Sequence, residues 1–438
     1  MKRLLLAFAL LSGCLSAGAQ YTPSPENLLA REDLVSHRLG IFLHWGIYAT
    51  YAQGEWYLSN SHLDPDAYSE AAGGFYPSEF DAAEWARAFK EAGAGYVTFT
   101  SRHHDGFSMF RTAASPFNIV DATPFRRDVA AELTEAVKAE GMAMQFYYSL
   151  IDWIRPDYPK GHSGIRKDPA KYDYDHYFDF EKAQIRELLE QYHPRALWFD
   201  GAWDHSSDAT PFPWRMEELY RYIHGIDPAC LVGNNHHIAV LEGEDYQMFE
   251  KDLPGENFTG FSGESEISTL PLEMCETMND MWGYKVGDQN YKSVPALVRL
   301  LVRAAGKDSN LLLNIGPQAN GKLPALALDR LKGIGAWMKV HARTVDGTRA
   351  TGLPEQPWGT TTRTDKSFFL HILDPENLPS NGTEAILVVP FSEKVKDVTL
   401  FVAGGRLPWK QSKDGFLTVT VPVSAYEDID TVVEVVLK

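Results

Sequence analysis

From residue 39 to 345 the chain alternates short apolar runs with amphipathic segments, and nothing else in the sequence limits the fold as strongly. The runs are GIFLHWG (40–46), GYVTFT (95–100), MAMQFYYSL (142–150), ALWFD (196–200), CLVGNN (230–235) and LLLNIG (311–316). They are apolar nearly throughout rather than at every second position, the pattern of strands covered on both faces. Between them, segments at 78–93, 128–141, 174–192, 213–228, 294–310 and 324–341 carry apolar residues at helical spacing. Strand–helix alternation of this length predicts a parallel sheet closed into a (β/α)8-like, TIM-type barrel. No Gly-rich phosphate fingerprint follows any strand, which argues against a nucleotide-binding sheet. The stretch 243–284 reads as loop-rich.

After about Val345 the pattern changes. SFFLHIL, AILVVP, DVTLFVA, LTVTVPV and TVVEVVL are short β-branched and aromatic runs separated by turn residues such as Ser380-Asn381-Gly382 and Asp414-Gly415. They predict a C-terminal all-β sandwich. The start, MKRLLLAFALLSGCLSAGAQ, has two basic residues, an apolar run and small residues, as a secretory signal does. Cleavage before Gln20 is the favoured reading. LSGC ending at Cys14 is the alternative, a lipobox that would leave a lipid anchor there as the only membrane attachment. The expected organisation is therefore a signal at 1–19, a catalytic barrel over 20–345 and a sandwich over 346–438, in an exported protein, periplasmic or secreted. Cys230 and Cys275 are read as two buried thiols. The net charge is −18, from 41 basic and 59 acidic residues, and without a basic stripe it speaks against a nucleic-acid partner.

In a parallel barrel, ligands bind at the carboxyl ends of the strands. There the first run delivers His44, with Gly-Glu-Trp-Tyr (54–57) in the loop beyond it. The second run leads into SRHHDGF (101–107). On a strand His103 and His104 would face opposite sides, but Asp105-Gly106 marks a turn, which lets both rings converge. The third run ends at Tyr147-Tyr148. The fourth places Trp198 and Asp200 on one face, Asp200 at the rim, where an unpaired carboxylate costs desolvation. Second carboxylates are plentiful at 243–284: Glu244, Asp245, Glu250, Glu264, Glu266, Glu273 and Glu276. Hydrolysis of a glycosidic bond needs two carboxyl groups, and composition does not choose among these. His-x-His, His-Glu-x-x-His and Cys-x-x-Cys spacings are absent, as is Gly-x-Ser-x-Gly, so neither a metal nor a serine nucleophile is assigned.

Taken in order, GIFLHWG, GEWY, RHHDGF, FYYSLIDW, LWFDG, EMCETMNDMWGY and LLLNIGPQANGKLP resemble glycoside hydrolase family 29, the α-L-fucosidases. The resemblance covers about residues 39–347 and implies a barrel followed by a sandwich, no cofactor, and a fucosylated oligosaccharide or glycoconjugate as substrate. It also implies a retaining double displacement. Asp200 would be the nucleophile and Glu273 the acid/base, with Glu276 and Glu250 as alternatives and Glu273 held neutral beside Trp282 and Tyr284. His44, Glu55, Trp56, His103, His104, Trp198, His236, Trp282 and one of Tyr147 and Tyr148 would hold the sugar. Leu272 departs from the family's Trp, and His236 from the Arg many members carry. An α-L-galactosidase, a metal-dependent barrel hydrolase and a carbohydrate-binding protein without turnover are the competing readings.

Overall fold

A computed structural model describes residues 21–165, 167–261 and 266–438. The leader at 1–19, with Cys14, and also Gln20 and Glu264 lie outside these residues. Eight parallel strands form one sheet: β1 (Leu39–Leu43), β2 (Tyr96–Arg102), β3 (Ala143–Ser149), β4 (Ala196–Asp200), β5 (Leu231–Asn235), β6 (Gln247–Glu250), β7 (Leu272–Thr277) and β8 (Ser309–Ile315). Their order is β5-β4-β3-β2-β1-β8-β7-β6. The sheet curls into a barrel whose seam lies between β5 and β6, where Asp245 bonds both ways to Val232 in place of a ladder. The stretch expected to be loop thus contains two strands, β6 and β7. β6 is only four residues long, and both strands carry acidic residues, so neither has the continuous apolar run that marks the other six.

Helices such as Ala82–Glu91, Val129–Ala139 and Tyr174–Tyr192 bury one face against the barrel wall. Asp81, Asp128 and Asp173 cap their first turns by accepting from backbone N–H groups. Helix Pro25–Ser36 lies at the amino end of the barrel, where Leu34 joins the interior cluster of Phe42, Tyr96, Trp198 and Leu312. Asn310 donates to the Leu34 carbonyl. The base is thus filled with packed side chains, and the opening is at the carboxyl end.

The C-terminal region has a five-stranded sheet, ordered β13-β16-β11-β10-β9, and a three-stranded sheet, β12-β15-β14. The strands are β9 (Arg349–Ala350), β10 (Gly359–Arg363), β11 (Ser367–Ile372), β12 (Glu384–Pro390), β13 (Val395–Leu400), β14 (Trp409–Gln411), β15 (Phe416–Pro422) and β16 (Thr431–Leu437). All five expected strands are present, and β9, β10 and β14 are additional. Strand β12 alternates exposed and buried residues, sending Ala385, Leu387 and Val389 into a core shared with Val419, Val421 and Val433. Cys230 and Cys275 are free and buried, as expected. No described helix is long and apolar enough to cross a membrane.

Candidate active site

Strand β2 ends at Arg102, so His103 and His104 are the first residues beyond it. The turn that follows is tight: Gly106 has φ +75° and its N–H donates to the His103 carbonyl at 3.0 Å. Arg102 anchors the turn from below through a buried ion pair with Asp152 at 2.7 Å. Freed from strand alternation, both imidazoles face a cavity of about 580 Å³ at the carboxyl end of the barrel. His44, Glu55, Trp56, Tyr147, Trp198, Asp200 and Trp282 also line it.

Asp200, the last residue of β4, is the most heavily partnered group there. Oδ1 accepts from Gly201 N (2.8 Å), Trp203 Nε1 (2.9 Å) and Asn235 Nδ2 (3.4 Å). Oδ2 accepts from the Tyr147 hydroxyl at 2.9 Å and lies 3.5 Å from His104 Nε2. Burial raises its pKa, and the Trp203 and Tyr147 bonds oppose that rise by favouring the charged form. Tyr147 pairs with Trp198 in register and stacks on it, so the two share the interior face. Tyr148 points the other way, to Gln184 and the Arg102 guanidinium, and takes no part in the cavity.

Two further carboxyl groups line the cavity, Glu55 and Glu250, and the one beside Asp200 is Glu250, at the end of β6. Asn235 Nδ2 donates to Glu250 Oε2 at 2.9 Å while also reaching Asp200. Two acceptors sharing one amide nitrogen stand on the order of 5 Å apart. Glu273 does not line the cavity, which corrects its assignment as the acid/base. It pairs with Met248 in register, two residues below the Glu250–Cys275 pair, on the order of 7 Å deeper in the barrel. There it is 1% exposed and accepts from the Tyr96 hydroxyl (2.6 Å) and Trp198 Nε1 (3.0 Å). Burial pushes its pKa up to about 7. The cause is its depth, with no contribution from Trp282 or Tyr284 among the groups that shift it. Glu276 is also outside the cavity, accepting from Thr277 N and facing Lys292.

His236 is a further correction. Its Nε2 meets Glu244 at 2.8 Å, and it is His237 that enters the cavity, 3.2 Å from Glu250 Oε2. The left-handed backbone of His237, φ +63°, redirects the chain there, a strained conformation of the kind that clusters at functional sites. Asn235, His237 and Trp203 join the site without a sequence motif that marks them, and the one available signal is the position of Asn235 at the end of the CLVGNN strand.

His44, His103 and His104 are neutral. Burial lowers the pKa of His44 and of His104 to about 3 and that of His103 well below its ordinary value. His44 Nδ1 is fixed by Asn314 (2.7 Å) and His104 Nδ1 by Ser149 (2.7 Å), whereas His103 Nδ1 has no partner among the described residues. Glu55 is anchored by the Gly283 N–H at 2.6 Å and its pKa is raised by burial. Neutral imidazoles that each donate and accept, three carboxyls and a wall of Phe42, Trp198 and Trp282 suit a polyhydroxylated ring with one apolar edge.

A family model described as Alpha-L-fucosidase matches residues 10–343. The chain is 27% identical to the alpha-L-fucosidase of Dictyostelium discoideum, with 98% of this chain and 97% of that protein covered. It is 27% identical to the plasma alpha-L-fucosidase of Rattus norvegicus, with 88% and 86% covered. Among solved structures, alpha-L-fucosidase isoenzyme 1 from Paenibacillus thiaminolyticus superposes with a TM-score of 0.81 at 32% identity, covering 94% of this chain and 100% of that one. The alpha-L-fucosidase from Vibrio sp. strain EJY3 gives 0.82 at 26% identity, covering 95% and 73%. The family model spans well over half of the chain, and the protein belongs to the alpha-L-fucosidase family.

Proposed function

We propose that the protein is a retaining exo-α-L-fucosidase in which Asp200 is the nucleophile and Glu250 the acid/base. The observation that carries this reading is the Asn235 amide bonded to both carboxylates. One nitrogen donating to both keeps an oxygen of each on the order of 5 Å apart, which supports a double displacement, since retaining pairs stand about 5–5.5 Å apart and inverting pairs stand wider to admit a water. Asp200 would attack the anomeric carbon as Glu250 protonates the departing oxygen. Glu250, then a carboxylate, would take a proton from the water that cleaves the fucosyl ester. His103 Nδ1, buried without a partner among the described residues, is available to a sugar hydroxyl. The α-fucosidase of Thermotoga maritima, of the same fold (TM-score 0.74) and 26% identical, has been solved in complex with a mechanism-based inhibitor, which supports this reading. Terminal fucosyl groups of glycans would be the substrate, met outside the cytoplasm if the leader at 1–19 directs export.

Azide products test the roles. Asp200→Ala with azide should give β-L-fucosyl azide from an aryl α-L-fucoside, because azide replaces the lost nucleophile and inverts the centre. Glu250→Ala should form its ester from the same activated substrate and release α-L-fucosyl azide. Glu273→Gln should respond to azide in neither way. Retained fucose-releasing activity in Asp200→Ala would overturn the reading.

A further inference from the structure

Beside the fucose cavity lies a second one of about 360 Å³, walled by Trp203, Trp214, Met216, Ile238 and Leu241. The two share Trp203, Ser206 and His237. These shared walls are the partners of the two carboxylates: Trp203 donates to Asp200, and His237 lies against Glu250. Trp214 is braced from behind by Phe212, at 4.6 Å between ring centroids, so this wall is built rather than loosely folded over.

On the fucosidase reading above, the leaving oxygen must sit at Glu250, because Glu250 gives it a proton. The aglycone therefore departs past His237, and His237 borders the second cavity. Its other walls are two indoles, three aliphatic or thioether side chains, Ala202, Ser206 and His236, and both His236 ring nitrogens are already bonded, to Glu244 and the Ile238 N–H, so few groups are left to replace the hydrogen bonds of a sugar's hydroxyls. We infer that this cavity is the aglycone subsite and that it takes an apolar leaving group, an alkyl or aromatic alcohol, so that apolar fucosides are a substrate class of this enzyme.

Methyl and n-octyl α-L-fucosides test this, since their leaving alcohols have similar acidity and a rate difference between them reports contacts rather than leaving ability. α-L-Fucosyl fluoride serves as the substrate without an aglycone. Ile238 is 51% exposed at the rim, so Ile238→Asp places a charge on the wall without disturbing the core. Leu241→Ala removes wall from the other side. The wild type should favour the octyl over the methyl fucoside in kcat/KM by about 10-fold or more. Ile238→Asp should erase most of that preference and Leu241→Ala part of it, with fluoride turnover unchanged in both. Equal octyl-to-methyl ratios in wild type and variants would overturn the subsite while fluoride turnover leaves the fucosidase reading intact. Absence of fluoride turnover in the wild type would instead overturn the fucosidase reading, and the subsite with it.

Discussion

At the scale of single residues, two carboxyl groups raised by burial behave differently because of what touches them. Asp200 accepts from four donors, against two at Glu273, so it can hold charge despite its burial. Tyr147→Phe removes one donor and therefore favours the protonated form. The acid limb of kcat/KM, which reports the free enzyme, should move to higher pH, and kcat should fall by about 10-fold or more. A pH–rate profile of the two proteins checks this, and an unmoved limb would mean that another group sets it. Glu273 contributes to stability instead. Its folded-state pKa, about 7, lies above its ordinary value of 4.5, so the folded protein holds the proton more tightly than the unfolded chain. That stabilisation is full below about 4.5 and is lost as pH rises through about 7. Relative to Glu273→Gln, the wild type should therefore lose on the order of 3 kcal/mol between about pH 4.5 and pH 8. Urea unfolding of both proteins at the two pH values measures it. A pH-independent difference would show that Glu273 does not titrate in this range.

At the scale of elements, the turn after β2 determines where two of the sugar-facing histidines point. Gly106 needs its left-handed backbone, and a Cβ there would stand 2.5 Å from Asp152 Oδ2, the partner of Arg102. Gly106→Ala should cost about 1–3 kcal/mol in urea unfolding and raise KM for an aryl fucoside, because the His103–His104 pair loses its footing. Unchanged stability and KM would mean the turn relaxes without moving either ring. This turn was legible in the sequence, since an apolar run giving way to His-His-Asp-Gly marks both the strand end and the bend. Strands β6 and β7 were not. Their interior-facing positions hold Met248, Glu250, Glu273 and Cys275, so the apolar signal of a buried strand is missing where the barrel lines its site. With the strands unseen, depth was unseen, and depth separates Glu250 at the mouth from Glu273 near the base. Tyr147 was separable from Tyr148 only once the β3–β4 register paired it with Trp198. His237 was beyond reach, because no residue pattern announces a left-handed histidine.

At the scale of the whole molecule, a buried polar chain crosses from the sandwich to the barrel. Asp430 Oδ2 lies 2.7 Å from His371 Nδ1, and both side chains are fully buried. His371 Nε2 is 3.1 Å from the Thr362 hydroxyl, which donates at 2.5 Å to the carbonyl of Thr344, in the 3₁₀ turn after the last barrel helix. Around this chain, Leu373 of the sandwich joins the buried core of the barrel, Phe401 stacks on His341, and partly exposed ion pairs such as Arg303 with Asp374 and Glu355 complete the contact. Exposed pairs contribute about 0–1 kcal/mol each, so Arg303→Ala should barely move the midpoint of thermal unfolding. His371→Ala leaves the Asp430 carboxylate buried without its partner, which costs about 3–5 kcal/mol. Because the chain joins the two regions, calorimetry should show one transition in the wild type and one, at lower temperature, in His371→Ala. The kcat/KM for fucosyl fluoride should be unchanged, as His371 is remote from the residues that line the cavity. A variant that instead splits into an early transition and an unmoved late one would show that the sandwich unfolds by itself, and that the polar chain stabilises one region without coupling it to the other.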